Sequence, residues 1–471
     1  MRTYILLAAL LPVAANAQQA WTLDQCVRHA EEKNLNVRNA TLDAELADQG
    51  KRQAMYALLP DLNAYASHGY NWGKTVDRFT NTFATDRVRN NNFYLSSQVS
   101  LFEGLRKQNA LRKAKLDADG SAKGLEDQRN LVRLSTVQAF LDVLSLRERI
   151  AASEKQVANI NEQLTVTNAL VEGGRLPRSE AMDQRSQLAQ QEYTLVDLRN
   201  QHDLRMLDLM QQLRLTPDEQ RGFDIVAPAI TGLTITDPSQ NGEDVLRAVL
   251  AANPGYAQVE VQAQSAEKDI AISRSGMIPA LRLEGAVGTG YSGRNVEAVG
   301  DPVLGDPQLI GFTQGGEEVY VPSYTQDTRT RAFSSQLDDN LNESVTLSLS
   351  VPLFNNQRNK YATDQARIRH EQAKNQVEAK RLSLEREVQQ AITAQRGAYR
   401  QYEAAQRAQE AAGESLRLAE ERFAAGAATS LDLNTARTNL DRATADGITA
   451  KYNYVMAAKY LDILQGLPVS L

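Results

Sequence analysis

The chain is poor in the residues that build covalent or metal-bound sites. It has one cysteine, Cys26, among 471 residues, which excludes an intrachain disulfide and a multi-cysteine zinc site. Its four histidines are scattered and show none of the paired spacings typical of metal ligands. The sequence therefore predicts neither a metal site nor a cofactor.

The sequence also lacks a long apolar run after its first residues. Residues 1–17 have the basic start, apolar core and A-x-A ending of a secretory signal peptide. Beyond them no run reaches the ~18 apolar residues of a membrane-spanning helix. An exported chain of this kind is expected to be either soluble or part of a β-barrel. The mild net charge of −6 gives no electrostatic reason to expect nucleic acid as a partner.

Two segments, 92–102 and 343–354, alternate apolar and polar residues with the period of a two-faced strand. Lipid on one side and water on the other require this pattern. The predicted lipid-facing residues are Phe93, Leu95, Val99, Leu101, Val345, Leu347, Leu349 and Val351. Two more strands are predicted at 62–71 and 281–291, with polar surface loops at 72–91 and 292–342.

A heptad pattern dominates the rest of the chain. Residues between 384 and 423, most of them small or apolar, step by alternating four and three, which predicts a coiled-coil-like helix from about 356 to 424. Such a helix would span roughly 100 Å. The seam recurs 252 positions earlier, as do its strand ending and its glycine turn, because Gly174 corresponds to Gly426. Shorter helices are predicted at 24–59, 178–214, 243–278 and 430–464, the last capped by Ser430.

The duplication divides the chain. We predict a signal peptide at 1–17, a first structural repeat at 18–215, a proline-containing linker at 216–242, a second repeat at 243–465 and a tail at 466–471. Each repeat contains a helix, two strands, a long helix and a return helix.

Four strands cannot close a lipid-facing barrel, because the smallest such barrels have about 8. An open edge in lipid would leave backbone groups unpaired at several kcal/mol each. We therefore predict a mixed fold of transmembrane β-strands and long α-helices. Four strands from each of three copies would form a 12-stranded trimeric β-barrel, continuous with an α-helical barrel.

This duplicated plan resembles the TolC family of outer-membrane efflux and secretion channels over essentially all of the mature chain. The similar features include the first-helix asparagines Asn34 and Asn253 and the strand endings before the long helices. The second turn resembles the family pattern G-x-x-[ST]-x-x-D-[VL] from Gly426 to Leu433. The first turn departs from it, with Pro177 in place of Ser or Thr.

The resemblance implies a homotrimer in the outer membrane, with its helical portion in the periplasm. It implies the exit duct of a tripartite efflux or type I secretion system, docked to a periplasmic adaptor and an inner-membrane transporter. Export through the duct would be passive and driven by the inner-membrane pump. Small molecules and polypeptides both remain open as cargo.

In the family, acidic residues after the turns ring a closed aperture. This role carries over to Asp432 and to its repeat partner Glu180, which stands at the corresponding place. Thr435 occupies the place of a further family carboxylate, and Asp183 in the first repeat can substitute for it. The alternative is that these acids only complement their helix dipoles.

The turns themselves are the predicted contacts with the adaptor. The residues involved are Gly174, Leu176, Gly426, Ala428 and Ser430. The alternative is a tight turn that needs glycine whatever its partner.

No catalytic motif is convincing. The G-x-G-x-x-G match at 288–293 enters a polar loop without a following helix, and Ser265 with Lys268 matches S-x-x-K without companion motifs. We predict that the protein is not an enzyme. The rival hypothesis is a periplasmic coiled-coil scaffold without a pore, which leaves the alternating strands unexplained.

Overall fold

The computed structural model describes residues 20–77, 79–84, 87–227 and 241–467. The predicted signal peptide, most of the predicted linker after residue 227 and the last four residues of the tail lie outside this part of the chain. The helices are α1 (Leu23–Lys33), α2 (Leu35–Tyr56), α3 (Arg106–Glu172), α4 (Arg178–Gln212), α5 (Pro217–Gln220), α6 (Gly242–Ala252), α7 (Pro254–Ser275), α8 (Phe333–Asp339), α9 (Arg358–Ala424) and α10 (Ser430–Leu464).

Matching helices of the two halves have equal lengths. Helices α3 and α9 each have 67 residues, and α4 and α10 each have 35. Their bounds differ by the 252 positions found in the sequence. Helices α1 and α6 have 11 residues each, and α2 and α7 have 22 each. The helical pattern of the chain is therefore duplicated residue for residue.

The prediction of single helices over 24–59 and 243–278 is wrong, because an asparagine interrupts each of them. Asn34 has ψ 131° and Asn253 has ψ 114°, both extended rather than helical. The Asn34 Oδ1 accepts the Asn36 N–H at 2.8 Å, and the Asn253 Oδ1 accepts the Tyr256 N–H at 2.8 Å. Each side chain satisfies an N–H that has no partner at the start of the next helix.

The strands are β1 (Asn63–Asn71), β2 (Thr75–Val76), β3 (Phe83–Ala84), β4 (Val88–Glu103), β5 (Ala280–Ser292), β6 (Val296–Leu304), β7 (Gln308–Phe312), β8 (Glu318–Val321), β9 (Tyr324–Thr330) and β10 (Asn342–Ser350). Four of them form one antiparallel sheet in the order β1-β4-β5-β10. The four long strands thus correspond to the four predicted ones.

The predicted loops at 72–91 and 292–342 contain more structure than expected. The first holds the short β2–β3 ladder, and β4 already begins at Val88. The second holds a β6–β9 ladder, a β7–β8 ladder and helix α8. The prediction of plain polar loops is corrected accordingly.

The described residues divide into two compact units. The helical unit is drawn from Met1–Gln49, Leu116–Gln264 and His370–Leu471, and the sheet unit is drawn from Gly50–Lys115 and Ser265–Arg369. The helical unit contains two hydrophobic clusters, one around Phe140 and Leu209 and the other around Leu384 and Leu461. Each such fully buried side chain contributes roughly 1.5–3 kcal/mol.

Candidate functional site: sheet faces and helical turns

One face of the sheet is apolar and, among the described residues, largely uncovered. Pairing places Leu347 opposite Leu283, and Leu283 opposite Val99, and directly paired residues lie on one face. Val345, Leu347 and Leu349 are 81%, 61% and 66% exposed. Contiguous apolar exposure of this kind marks a surface that contacts lipid or another protein.

The opposite face of the sheet is polar. It carries the hydroxyl and amide groups of Ser96, Gln98, Ser100, Ser344, Thr346 and Ser348. Its charges gather where the strands meet the long helices. There the Arg282 Nε lies 3.4 Å from the Glu103 Oε1, which also accepts the Ser100 hydroxyl at 2.6 Å.

The other predicted lipid-facing residues occupy less regular places. Phe93 is partly covered by an edge-on contact with Phe333, at 6.3 Å between ring centroids. A β-bulge breaks the register between Ser100 and Phe102, so that Leu101 and Phe102 together oppose Leu281. Leu95 and Leu101 are exposed, and Val99 is half-buried. Val351 is exposed one residue beyond the end of β10.

The outer strands of the sheet are β1 and β10. Among the described strands, neither has a neighbour on its outer side, and β10 is exposed along its whole length. An edge of this kind is a template for pairing with another chain. Within the described part of the chain, both edges of the sheet are therefore open to pairing.

Both long helices end in the same glycine turn. Gly174 has φ 70° and Gly426 has φ 72°, the left-handed conformation that favours glycine. The Arg175 N–H reaches the Leu170 carbonyl at 2.9 Å, and the Ala427 N–H reaches the Arg422 carbonyl at 2.8 Å. These are the long hydrogen bonds of the Schellman motif. The need for glycine is therefore explained by the turn itself.

Thr429, and not Ser430, caps the start of α10, so the prediction for Ser430 is wrong here. The Thr429 Oγ1 accepts the Asp432 N–H at 3.2 Å, and the Asp432 Oδ2 accepts the Thr429 N–H at 3.0 Å. This is a reciprocal capping box. The bonds from the Thr429 N–H and hydroxyl lower the pKa of the Asp432 carboxyl, so it is ionised at neutral pH.

Glu180 stands at the corresponding third position of α4, but its surroundings differ. Pro177 precedes α4 and makes no side-chain cap. The Glu180 Oε2 is buried and has no hydrogen-bond partner among the described residues. The two predicted aperture acids thus share a position in their repeats and differ in their hydrogen bonding.

Asp183 and Thr435 line one cleft between α4 and α10, with a volume of about 610 Å³. Ser430 also lines it and is 7% exposed. The Thr435 hydroxyl donates to the Leu431 carbonyl at 2.7 Å. Leu176 and Ala428 are half-buried, while Gly174 and Gly426 are exposed.

One charged group in the hairpin of α9 and α10 was missed by sequence reasoning. Arg437 is only 5% exposed, and its Nη2 lies 3.4 Å from the Glu420 Oε1. One turn further, burial raises the pKa of the Asp441 carboxyl to about 6, and the positive charge of Arg437 acts in the opposite direction. The signal was available, because Arg437 stands four residues after the buried Leu433 and therefore on the same face of α10.

No group of three or more His, Cys, Asp and Glu side chains that could hold a metal ion occurs within the described ranges. None of the helices in that same part of the chain is both long and apolar enough to cross a membrane.

Comparison with known proteins defines the class. The chain matches the family described as "Outer membrane efflux protein" over residues 26–213 and 245–467. The chain therefore belongs to this family. It is an outer membrane efflux protein and not an enzyme, which confirms the predictions of family, enzymatic class and outer-membrane location.

The individual relatives have low sequence identity to this chain, but their alignments cover nearly all of it. The outer membrane protein TolC of Escherichia coli (strain K12) is 22% identical over 466 residues, which cover 96% of this chain and 83% of TolC. The structure of VceC from Vibrio cholerae aligns with a TM-score of 0.75 at 15% identity, covering 95% of this chain and 97% of VceC. The Campylobacter jejuni channel CmeC aligns with a TM-score of 0.73 at 15% identity, over 94% of this chain and 85% of CmeC. These structures show a TolC-like fold of mixed helix and strand.

Proposed function

We propose that three copies of this chain form the exit duct of a tripartite efflux or type I secretion system. The observation that carries the proposal is the sheet, with an exposed apolar face, a polar face and two open edges. Pairing of β10 with β1 of the next copy gives a 12-stranded barrel with its apolar face toward lipid. Its polar face then lines a water-filled lumen. Membership of the efflux family favours this duct over the scaffold hypothesis.

The test is the mass and location of the protein in its host. The duct requires that the protein fractionate with the outer membrane and leave mild detergent as a complex of three chains. A monomer that remains in the soluble periplasmic fraction would overturn the proposal.

The second part of the proposal is an acidic aperture at the helical turns. Glu180 and Asp432 from three copies would place a ring of carboxylates there, which favours cations over anions. Asp183 and Thr435 would lie just inside this ring, on their shared cleft. The capping box of Asp432 is the competing explanation, because it gives that carboxylate a local role.

Ion selectivity separates these two roles. The variant Glu180→Gln with Asp432→Asn removes charge while keeping side-chain shape. We expect its reversal potential in a salt gradient to move toward that of a non-selective pore. The control is Asp446→Asn, an exposed acid of α10 away from the turns. If both variants keep the native reversal potential, the constriction lies elsewhere.

The third part is the docking of a periplasmic adaptor at the turns, with an inner-membrane transporter behind it. Gly174, Gly426, Leu176 and Ala428 keep at least part of their surface exposed, whereas Ser430 does not. We expect Ala428→Arg to reduce co-purification of the adaptor, and the matched surface change Ala411→Arg on α9 to leave it intact. Equal retention of the adaptor by both variants would place docking elsewhere.

A further inference from the structure

The second half of the sheet unit carries a projection that is longer than the corresponding loop of the first half. We call residues Val296–Thr330 the arm. It consists of the β6–β9 ladder with the β7–β8 ladder nested at its tip. Its large apolar side chains are largely exposed, namely Val303, Leu304, Ile310, Phe312, Tyr320 and Tyr324. Two-stranded ribbons are marginal in water without a surface to pack on, so the arm needs a cover.

The arm is also acidic. It contains six carboxylates and a single basic residue, Arg329. The Arg329 Nε is paired with the Glu297 Oε1 at 2.7 Å. Asp301, Asp306 and Asp327 have no ion-pair partner in the part of the chain that the structure describes. A surface that covers the arm should therefore be basic as well as apolar.

The loop between β1 and β4 has this character. We call residues 72–87 the first hairpin loop. Lys74 and Arg87 are exposed on it, and so are the aromatic rings of Trp72 and Phe83. Its one described acid, Asp77, is turned inward, where it accepts hydrogen bonds from the Ser292 hydroxyl and the Thr80 N–H.

Within the chain, the Lys74 Nζ lies 5.6 Å from the centroid of the Phe83 ring, and the Arg87 guanidinium lies 5.0 Å from that of Tyr70. All four groups except the Tyr70 ring belong to the loop and stay exposed, and the loop is held to the sheet by other residues. Asp77 holds the loop to the end of β5, and the Phe79 ring fills the space where a side chain at Gly290 would stand. This close approach explains Gly290 of the G-x-G-x-x-G match without a nucleotide. The basic and aromatic groups remain on the outside.

The order of the strands brings the arm and the loop together across copies. Both leave the same end of the sheet, because Asn71 pairs with Val88, Asn90 with Ser292 and Asn342 with Gly288. The arm leads into β10, and the first hairpin loop follows β1. In the trimer proposed above, on which this step rests, β10 of one copy lies next to β1 of the following copy.

We propose that the arm of each copy docks on the first hairpin loop of the neighbouring copy. The arm's free carboxylates face Lys74 and Arg87, and its apolar side chains cover Trp72 and Phe83. Three such contacts join neighbouring copies at the end of the barrel remote from the long helices. We call this set of contacts the clasp. The interaction surface thus joins a feature of the second repeat to one of the first.

Disulfide trapping tests this contact in the full-length trimer. Cys26, the native thiol, is replaced by serine, and Phe83→Cys is combined with Leu304→Cys. Oxidation should give covalently linked dimers and trimers on a denaturing gel. The control pair is Leu62→Cys with Leu304→Cys. Leu62 is 71% exposed and Phe83 is 70% exposed, but Leu62 lies at the opposite end of β1, so no linked species are expected.

Charge reversal is the second part of the test. Lys74→Glu with Arg87→Glu should slow trapping roughly fivefold at low salt, as expected for two exposed ion pairs. Adding Asp301→Lys and Asp306→Lys should restore the rate. Unchanged trapping in the reversed variant would overturn the role of charge in docking.

The oligomer is measured separately, by the mass of the detergent complex. A trimer in which the disulfide closes within one chain, or does not form, overturns the clasp and leaves the duct intact. A monomer overturns the duct and the clasp together. A trimer with disulfides between chains supports both.

Discussion

An arginine on the apolar face of the sheet tests where this face lies. Leu347 stands in the middle of a row with Leu283 and Val99, well inside the apolar band. Its neighbour Thr346 points to the polar face, so Thr346→Arg is a control on the same strand. In the proposed barrel, Leu347→Arg places a charge in lipid and Thr346→Arg places it in a water-filled lumen.

The expected cost follows from measurements on other barrels. An arginine near the bilayer midplane of a transmembrane β-barrel costs roughly 2–4 kcal/mol, and the cost falls toward the interfaces. The closed barrel contains three copies of the substitution, so the cost applies three times. A lumen position carries almost none of it, because the guanidinium stays hydrated.

The assay is assembly of the purified variants into lipid vesicles, followed by unfolding in urea. Leu347→Arg should assemble poorly and unfold at a lower urea concentration than the native protein, and Thr346→Arg should match the native protein in both respects. Equal behaviour of the two variants would refute the assignment of the apolar face to lipid.

Three further predictions concern the helical unit. Gly426→Ala should destabilise this unit by about 1–2 kcal/mol in urea unfolding, because alanine must adopt φ 72°. Its control, Gly397→Ala, should stabilise the unit by about 0.5–1 kcal/mol, because alanine favours the helix and no atom lies within 4 Å of the added Cβ. Thr429→Ala should remove about 1 kcal/mol of protection from amide exchange in the first turn of α10. Asp441→Asn should remove a pH dependence of stability, because the folded carboxyl has a pKa of about 6 instead of 3.8.

The sign for Asp441 follows from proton binding. Between about pH 4 and pH 6 the folded chain holds this proton more tightly than the unfolded chain, so its contribution to stability falls as the pH rises. Asp441→Asn should therefore be more stable than the native protein at pH 7.5 and indistinguishable from it near pH 4. Parallel curves of stability against pH for the two proteins would contradict this.

The other two predictions have their own contrary results. Equal stability of Gly426→Ala and Gly397→Ala would contradict the first. Unchanged amide exchange in Thr429→Ala would contradict the second.

The long helices were predictable because their signal is long. The predicted helix at 356–424 begins two residues before the observed start at Arg358 and ends with it at Ala424. Many heptad steps in succession outweigh any local ambiguity. The strands at 92–102 and 343–354 were found for a similar reason, since alternation over nine or more residues has few competing explanations.

Features that depend on a single residue were not predicted, because their signal is short. Asn34 breaks a helix without changing the apolar spacing on either side of it, so periodicity could not reveal the break. Thr429 and Ser430 are both good caps, and only the acid three residues after Thr429 completes a capping box. That spacing could have decided between them.

The strands of the arm were not predicted, because the composition of this segment is typical of a loop. Glycine and proline are frequent in residues 292–342, and they predict turns more strongly than the short strands between them. The bulge at Leu101 also shifts the facing of the residues after it, which strict alternation does not anticipate. Exposure of the arm depends on contacts that no local pattern encodes.

The most direct test of the duct is the current through purified native protein in a planar lipid bilayer. A closed 12-stranded barrel with a polar lumen predicts discrete, uniform conductance steps from a preparation of folded trimers. The absence of conductance from folded trimers inserted in the bilayer would contradict a pore.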